Sequence, residues 1–232
     1  YQAKADATAT TAQFVLRKKD SYSGVSLEGA EFTISQYDTV SRQFVPWTGN
    51  GTGTLTTDEN GQASLAVLDS ETASCLKPDV LYKLVETQAP QNYRTDSTPH
   101  YLLFRKNASA ENQQAFAKAT GQADGTTTLT VGTETVDLNR NVQVGSDAGT
   151  TTAEYSNVYS NLTVSKLWLD ADTRQPVKPA VDSIHIKVWQ YTDNAEKKTL
   201  FAEADLTADN NWTWSESGDK LPLTDENGNA YH

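Results

Sequence analysis

The sequence predicts an all-β protein that consists of two antiparallel β-sandwich domains in tandem. Short runs rich in Val, Leu, Tyr, Phe and Thr recur along the 232 residues, and turns containing Gly, Pro or Asn separate them, as in sandwich proteins. Only residues 105–153 contain a segment of helix-forming composition. Residues 57–61 recur as residues 224–228, each time after a strand-rich stretch, which indicates two domains of one type.

The first domain is predicted over residues 13–160, after a polar lead-in or linker at residues 1–12. Its first strand alternates, with Phe14, Leu16 and Lys18 on the inward face. Further strands are predicted for six runs that lie between turn signals, at residues 29–38, 44–47, 53–58, 62–68, 81–87 and 100–104.

Residues 105–153 are predicted to be a surface insertion before the last strand. This segment contains a helix, with Ser109 as its cap and Glu111 in its first turn. A hairpin is predicted at Gly132. The last strand of the first domain carries Asn157 and ends just before the domain boundary.

Composition and charge disfavour several classes of protein. The chain carries 5 Trp, 10 Tyr and 6 Phe, enough to build a core, so it is not a disordered tail. Its net charge of −11 repels phosphate groups, so we expect no nucleic-acid partner and no membrane contact. No apolar run approaches the roughly 20 residues that cross a bilayer. No signal peptide opens the sequence, which indicates a cytosolic or an already processed protein.

The residue types that usually hold a metal are sparse. Cys75 is the single cysteine, so an intramolecular disulfide and a cysteine-based zinc site are excluded. His100, His185 and His232 are far apart and lack metal-ligand spacing. The two Asp-Glu-Asn-Gly loops lack a full set of calcium ligands. We therefore expect neither a metal nor a cofactor.

Three side chains of the first domain form a candidate chemical site. Lys18 shares a strand face with apolar residues, and Glu86 shares one with Tyr82 and Leu84, so both are predicted to point inward. Asn157 lies in the closing strand. If the first and last strands are neighbours, an amine, a carboxyl group and an amide meet in a pocket without water.

Burial would give these three groups a specific chemistry. A dry environment disfavours charge, so it yields a neutral, nucleophilic amine and a neutral acid that can polarise the amide carbonyl. Attack of Lys18 Nζ on Asn157 Cγ, with loss of ammonia, would form an intramolecular isopeptide bond. The alternative is that Lys18, Glu86 and Asn157 are ordinary solvated residues near strand ends.

Several motifs follow one another in the first domain in a specific order. They are an opening lysine strand, Leu-x-Gly-Ala-x-Phe at residues 27–32, the turn at residues 57–61, Tyr-x-Leu-x-Glu-x-x-Ala-Pro at residues 82–90 and a closing Asn strand. This order resembles the Cna protein B-type (SpaA-like) domains of Gram-positive pilins and surface adhesins. The resemblance implies immunoglobulin-like sandwich domains and an autocatalytic bond between Lys18 and Asn157, assisted by Glu86.

Each end of the implied bond has a neighbouring alternative. Lys19 is adjacent to Lys18, but strand parity and the spacing to Asp20 favour Lys18. Asn161 lies four residues after Asn157, at the expected join between the domains. Both alternatives remain open at the level of the sequence.

The second domain is predicted over residues 161–232. Its Lys-Leu-Trp opening and its later Trp-Thr-Trp segment resemble the same family, which implies Lys166 as its bond-forming lysine. No strands with a matching Glu and Asn follow, so we expect this domain to be incomplete, with an exposed sheet edge. Residues 221–225 resemble a sortase sorting motif with Asp in place of the final Gly, and we expect a loop there.

The resemblance implies a structural segment of a secreted, cell-wall-anchored pilin or surface protein, located in a pilus or on the cell wall. Its expected partners are neighbouring pilin subunits, or the cell wall through sortase, and a host surface ligand. The resemblance implies no enzyme activity beyond a single autocatalytic turnover. The alternatives are an adhesin module for a host matrix protein or glycan, with Trp189, Trp212 and Trp214 as a stacking surface, and an accessory domain of a hydrolase.

Overall fold

A computed structural model describes residues 12–69, 74–193, 197–227 and 229–231. These residues divide into two compact units. The first runs up to Val158 apart from Asn92–Arg94, and the second combines Asn92–Arg94 with the residues from Tyr159 onward. Of the predicted lead-in at residues 1–12, only Ala12 is described, and it begins the first strand. The rest of that segment lies outside the described residues.

The first unit is built mainly from β-strands, which confirms the all-β prediction. Its elements in chain order are β1 (Ala12–Asp20), β2 (Glu31–Asp38), β3 (Gln43–Pro46), β4 (Thr54–Thr56), β5 (Gln62–Val67), β6 (Leu81–Gln88), β7 (His100–Arg105), α1 (Asn112–Thr120), β8 (Thr128–Val131), β9 (Glu134–Asp137), β10 (Val142–Ser146) and β11 (Thr150–Asn157).

Two sheets form a sandwich in this unit. One sheet has the order β11-β1-β5, and the other has the order β10-β7-β6-β2-β3, with β4 also paired to β2. Apolar side chains alternate inward from both sheets because successive residues of a strand point to opposite faces. The large buried side chains of the core between the sheets include Phe14, Leu16, Phe32, Trp47, Tyr82, Leu84, Leu102 and Phe104.

The first and last strands of the unit are direct neighbours, as the chemical hypothesis requires. β1 pairs in parallel with β11 from Gln13 onward, and Asp20 lies opposite Asn157. On its other side β1 pairs antiparallel with β5. The sandwich is therefore not purely antiparallel, since β10 and β7 also pair in parallel. Parallel strands need a crossover connection, and long segments of chain separate β1 from β11 and β7 from β10.

Residues 105–153 pack differently from the predicted surface insertion. Phe116 of α1 is fully buried in a second apolar cluster with Leu81, Leu103 and Val136, and β10 extends the larger sheet. The segment therefore covers the outer face of that sheet. Sequence inspection missed this because the polar composition of the segment hides a few evenly spaced apolar residues, which suffice to bury one face of a short helix.

The local signals within this segment are partly correct. The hairpin at Gly132 is confirmed, since β8 and β9 pair antiparallel across it. The helix is confirmed, but Glu111 is its N-cap residue and makes no side-chain cap bond. Ser109 lies before the helix, where its N–H donates to Asn107 Oδ1. Gly121 ends the helix in the left-handed conformation that favours glycine.

The second unit has two short sheets in its described residues. β12 (Asn161–Ser165) pairs antiparallel with β15 (Thr213–Ser217), and β13 (Ser183–Gln190) pairs antiparallel with β14 (Thr199–Thr207). A 3₁₀ turn, Gly218–Lys220, follows β15.

Burial is sparse in this second unit. Leu206 and Leu221 are its buried apolar side chains among the described residues, whereas Trp189 and Leu223 are exposed. None of the helices in the described residues has the length and apolar character needed to cross a membrane.

Candidate functional site

Lys18 points into the core of the first unit. The burial of β1 alternates so that Phe14, Leu16 and Lys18 share the inward face, as predicted from the period of two. The lysine is only 1% exposed. Its Nζ lies over the ring of Phe32, 5.3 Å from the ring centre. A buried ammonium group is unfavourable unless it has a partner.

Glu86 is the partner of this lysine, and it comes from the opposite sheet. Tyr82, Leu84 and Glu86 form the buried face of β6. Glu86 Oε1 lies 3.0 Å from Lys18 Nζ, and the carboxyl group is fully shielded from solvent. Next to it the pairing of β2 and β6 shifts by one residue at Phe32, an irregularity of the kind that redirects a side chain.

Asn157 completes the cluster from β11. The parallel register places Asn157 two residues beyond Tyr155, which lies opposite Lys18. Asn157 is 1% exposed, and its Nδ2 donates to Glu86 Oε2 over 2.6 Å. Its backbone carbonyl accepts from Ser21 N–H, which fixes the end of β11 against β1. The structure therefore brings together all three predicted side chains.

Aromatic rings enclose the cluster. Tyr155 packs on Phe32 with ring centres 5.8 Å apart and stacks on His100 with centres 3.9 Å apart. Burial raises the pKa of the Tyr155 hydroxyl well above its usual range, so this wall is neutral. Burial likewise lowers the pKa of Lys18, although the adjacent Glu86 carboxylate opposes that change.

This geometry suits amide chemistry. The carboxyl group of Glu86 contacts the amine through one oxygen and the amide nitrogen through the other. It can accept a proton from Lys18 Nζ and deliver one to Asn157 Nδ2, the atom that would leave as ammonia. The dry surroundings favour the neutral amine, which is the nucleophilic form.

The two neighbouring alternatives lie outside this cluster. Lys19 points to the opposite face of β1, where its Nζ lies 2.7 Å from Glu154 Oε2 at the surface. Asn161 is exposed at the start of β12, and its Oδ1 accepts from the Thr163 hydroxyl.

The lysine named for the second domain, Lys166, is exposed. Its Nζ lies 5.5 Å from the ring centre of Trp168, and no carboxylate of the described residues lies within ion-pairing distance of it. The role of Lys166 as the bond-forming lysine thus stays a prediction, with no carboxylate partner among the described residues.

Two turns with matching hydrogen bonds allow the sequences of the two units to be aligned. After β1, the Asp20 carboxylate accepts from the N–H groups of residues 22 and 23. In the second unit, the Asp170 carboxylate accepts in the same way from residues 172 and 173. Aligning Asp20 with Asp170 places Trp168, not Lys166, at the position of Lys18.

The described residues of the repeated segment also make matching hydrogen bonds in both units. Asp58 Oδ1 accepts from Asn60 N–H and Gln62 N–H, and Asp225 Oδ1 accepts from Asn227 N–H and Asn229 N–H. These carboxylates therefore close turns. The described residues contain no group of three or more His, Cys, Asp or Glu arranged to hold a metal.

The tryptophans of the second unit pack against different partners. Trp212 packs edge-on against Trp168, with ring centres 4.4 Å apart, whereas Trp214 packs against Phe201. Trp189 lies under Lys198 Nζ, 5.0 Å from its ring centre. Each of these rings thus has its own partner.

Two contributors to the site were missed by the sequence analysis. The backbone N–H of Asp96 donates to Glu86 Oε2 over 2.7 Å, and no side-chain pattern announces a backbone donor. The ring of His100 closes the aromatic wall; its place as the first residue of an apolar strand was the available signal.

Comparison with known proteins finds one family model that matches part of the first unit. Residues 12–119 match the family model described as SpaA, a prealbumin-like fold domain. No curated protein matches the chain.

Several of the solved structures similar to the chain are bacterial pilin proteins. Domains D2 and D3 of the major pilin SpaD from Corynebacterium diphtheriae match at 21% identity with a TM-score of 0.35, covering 63% of this chain and 46% of that one. The major pilin subunit BcpA of Bacillus cereus, as its D312A variant, matches at 18% identity with a TM-score of 0.35, covering 67% and 31%. The T6 backbone pilin of Streptococcus pyogenes matches at 18% identity with a TM-score of 0.32, covering 64% and 34%. The chain spans less than half the length of each.

Proposed function

We propose that this chain, whose residues 12–119 match the SpaA prealbumin-like family, is a structural segment of a Gram-positive pilin or surface protein, and that an isopeptide bond between Lys18 and Asn157 closes its first unit. One observation carries the proposal. A single buried carboxyl group, that of Glu86, lies 3.0 Å from the lysine Nζ and 2.6 Å from the asparagine Nδ2.

The proposed reaction needs no cofactor. Lys18 Nζ transfers a proton to the Glu86 carboxylate, and the neutral amine then attacks Asn157 Cγ. The bond between Cγ and Nδ2 breaks while Glu86 passes a proton to Nδ2 and takes the second proton from Nζ. Nδ2 leaves as ammonia and takes up that proton as ammonium. The products are one amide bond, one ammonium ion and an unchanged Glu86 carboxylate.

Proximity explains why the reaction proceeds without an enzyme. Lys18 and Asn157 lie on neighbouring strands whose pairing fixes their separation, and Glu86 reaches both from the facing sheet. Folding therefore converts a slow reaction between an amine and an amide into one between positioned groups. The bond forms once per chain, so this activity is not enzymatic turnover.

A mechanical role follows from where the bond lies. It joins the first and last strands of the unit and encloses residues 19–156 in a covalent loop. A pull applied through the two ends of the unit then passes through the bond, and the enclosed strands bear none of it. We place the protein outside the cell, in a pilus or on the cell wall, with neighbouring pilin subunits as its partners.

Intact mass spectrometry tests this proposal. We expect the wild-type chain to be lighter than its sequence mass by one ammonia, and the Glu86→Ala chain to have its full mass because the proton carrier is gone. Glu154→Ala is the matched control, since it removes a glutamate that pairs with a lysine at the surface. Its mass deficit should equal that of the wild type.

A full-mass wild-type chain would overturn the proposal. A mass deficit that persists in Glu86→Ala would instead overturn the role assigned to Glu86.

A further inference from the structure

The loop between β6 and β7 contributes one buried contact to the site. The backbone N–H of Asp96 donates to Glu86 Oε2 over 2.7 Å. The same oxygen accepts from Asn157 Nδ2 over 2.6 Å. The other oxygen, Oε1, faces Lys18 Nζ at 3.0 Å. The carboxyl group is therefore held by one ion pair and two hydrogen bonds, and the donor of one of these bonds, the Asp96 N–H, takes no part in the proposed bond.

We propose that Asp96 is a positioning residue, whose backbone N–H holds the Glu86 carboxyl group with one oxygen on the attacking nitrogen and the other on the leaving nitrogen. This inference rests on the proposed function, because it concerns the same reaction. It assigns a role to a residue that neither accepts nor donates a proton during bond formation.

The carboxyl group at the end of a glutamate side chain can turn between orientations. The terminal torsion of Glu is broad and nearly two-fold, so packing alone does not decide which way the carboxyl group turns. Lys18 and Asn157 both move as the new bond forms, so neither can hold the carboxyl group throughout the reaction. The Asp96 N–H belongs to the backbone and does not react. A donor to an ionised carboxylate is among the stronger hydrogen bonds in proteins.

The side chain of Asp96 explains how the loop keeps this N–H aimed inward. Asp96 Oδ1 accepts from Thr98 N–H over 3.0 Å, which closes a local turn of a type that Asp and Asn both form. The carboxylate itself lies at the surface. The residue thus turns its side chain outward to shape the loop and its backbone inward to hold Glu86.

Two substitutions at Asp96 separate the backbone role from the side-chain role. Asp96→Pro removes the N–H, and φ of Asp96 is not in the positive range that proline cannot adopt. Asp96→Asn keeps both the N–H and the turn. Each chain is made in a short pulse of cell-free synthesis, quenched at intervals in denaturant, and scored by intact mass for loss of ammonia.

The expected result is a slower reaction for one variant only. Bond formation in Asp96→Pro should be roughly tenfold or more slower than in the wild type, as expected for loss of a hydrogen bond to a charged group. Asp96→Asn should react about as fast as the wild type. Equal rates for Asp96→Pro and Asp96→Asn, with the wild type bonded, would overturn the positioning role and leave the proposed function intact. A wild type that never loses ammonia overturns both.

A second measurement covers the case in which Asp96→Pro does not fold. In the Asn157→Ala chain, which cannot form the bond, the amide proton of Asp96 is followed by nuclear magnetic resonance. We expect a downfield resonance and slow exchange with solvent, both lost when Glu86→Ala is added. An Asp96 amide that is the same in both chains would overturn the inference.

Discussion

At the scale of single residues, the site is explained by what burial does to a lysine. A buried ion pair such as Lys18–Glu86 gains little net stability, because the loss of water around both charges offsets their attraction. Formation of an amide at Lys18 removes the lysine charge permanently. The buried charge of Lys18 is therefore unfavourable only before the reaction, and formation of the bond removes that charge.

The charges around Lys18 predict how bond formation depends on pH. Burial lowers the pKa of Lys18, and the carboxylates of Glu86 and Asp96 both raise it. His100 also interacts with Lys18 and Asp96. Because the proton that Lys18 gives to Glu86 is the one that reaches Nδ2, the reacting pair must hold this proton, so the rate should fall as pH rises above the pKa of Lys18. Asp96→Asn removes one negative charge, so it lowers that pKa and should move the fall in rate to lower pH.

This prediction is checked by pulse synthesis and intact mass over a series of pH values. Asp38→Asn serves as the control, since Asp38 is held in a separate surface turn by Val40 and Ser41. Its profile should match the wild type. A shift of the Asp96→Asn profile to higher pH, or no shift, would contradict the electrostatic account.

At the scale of elements, the turn before β5 fixes the backbone of β1 at Lys18. Gly61 has φ +68, and its carbonyl accepts from Lys18 N–H. A Cβ at Gly61 would lie 2.7 Å from Lys18 O and 2.8 Å from Leu27 N. Both contacts are with backbone, so no side chain can move aside. Gly61 of the repeated segment is thus required by the lysine strand itself.

Gly61→Ala should therefore destabilise the first unit strongly. Gly29→Ala is the matched control, because Gly29 has φ +83 but open space around it. We expect Gly29→Ala to lower the free energy of unfolding by about 1–2 kcal/mol through backbone strain alone. Gly61→Ala should lower it by roughly 3 kcal/mol or more, since strain and clash add.

Both variants are measured by denaturant unfolding in the Glu86→Ala background, where no bond forms. Equal losses of stability for the two glycines would show that the close approach to Lys18 has no energetic weight.

The same scale shows what the sequence could and could not predict. The period of two in β1 and β6 correctly predicted that Lys18 and Glu86 point inward, because a strand has only two faces. Their meeting with Asn157 depended on strand order, which local pattern does not encode. The packing of Phe116 and the inward N–H of Asp96 were missed, since both depend on how the chain returns to the sheet. The correspondence of Trp168 with Lys18 required the hydrogen bonds of two turns.

At the scale of the whole molecule, the bond would replace a disulfide in a chain with one cysteine. It joins the first and last strands of the first unit, which are far apart in sequence. Closing a loop of this length restricts the unfolded chain and, by the chain-entropy estimate used for disulfides, adds about 5 kcal/mol of stability. With the bond in place, β1 and β11 cannot separate fully unless a covalent bond is broken.

The loop-closure gain is measurable against a suitable unbonded chain. Lys18→Met/Glu86→Gln removes the bond without leaving an unpaired buried charge. The wild type should unfold at a higher guanidinium concentration, by an amount equivalent to about 5 kcal/mol. Hydrogen exchange of β1 and β11 peptides reports the transition of this unit. A difference below about 1 kcal/mol would contradict a stabilising bond.

The most direct test of the account is the identity of the two atoms that are joined. Trypsin cannot cleave after a bonded Lys18, so cleavage after Arg17 and Lys19 leaves residues 18–19 attached to the peptide of residues 141–166. Fragment masses of this branched peptide should place the link at Asn157, before Asn161. Separate, unlinked peptides, or a link at any other residue, would contradict the central claim.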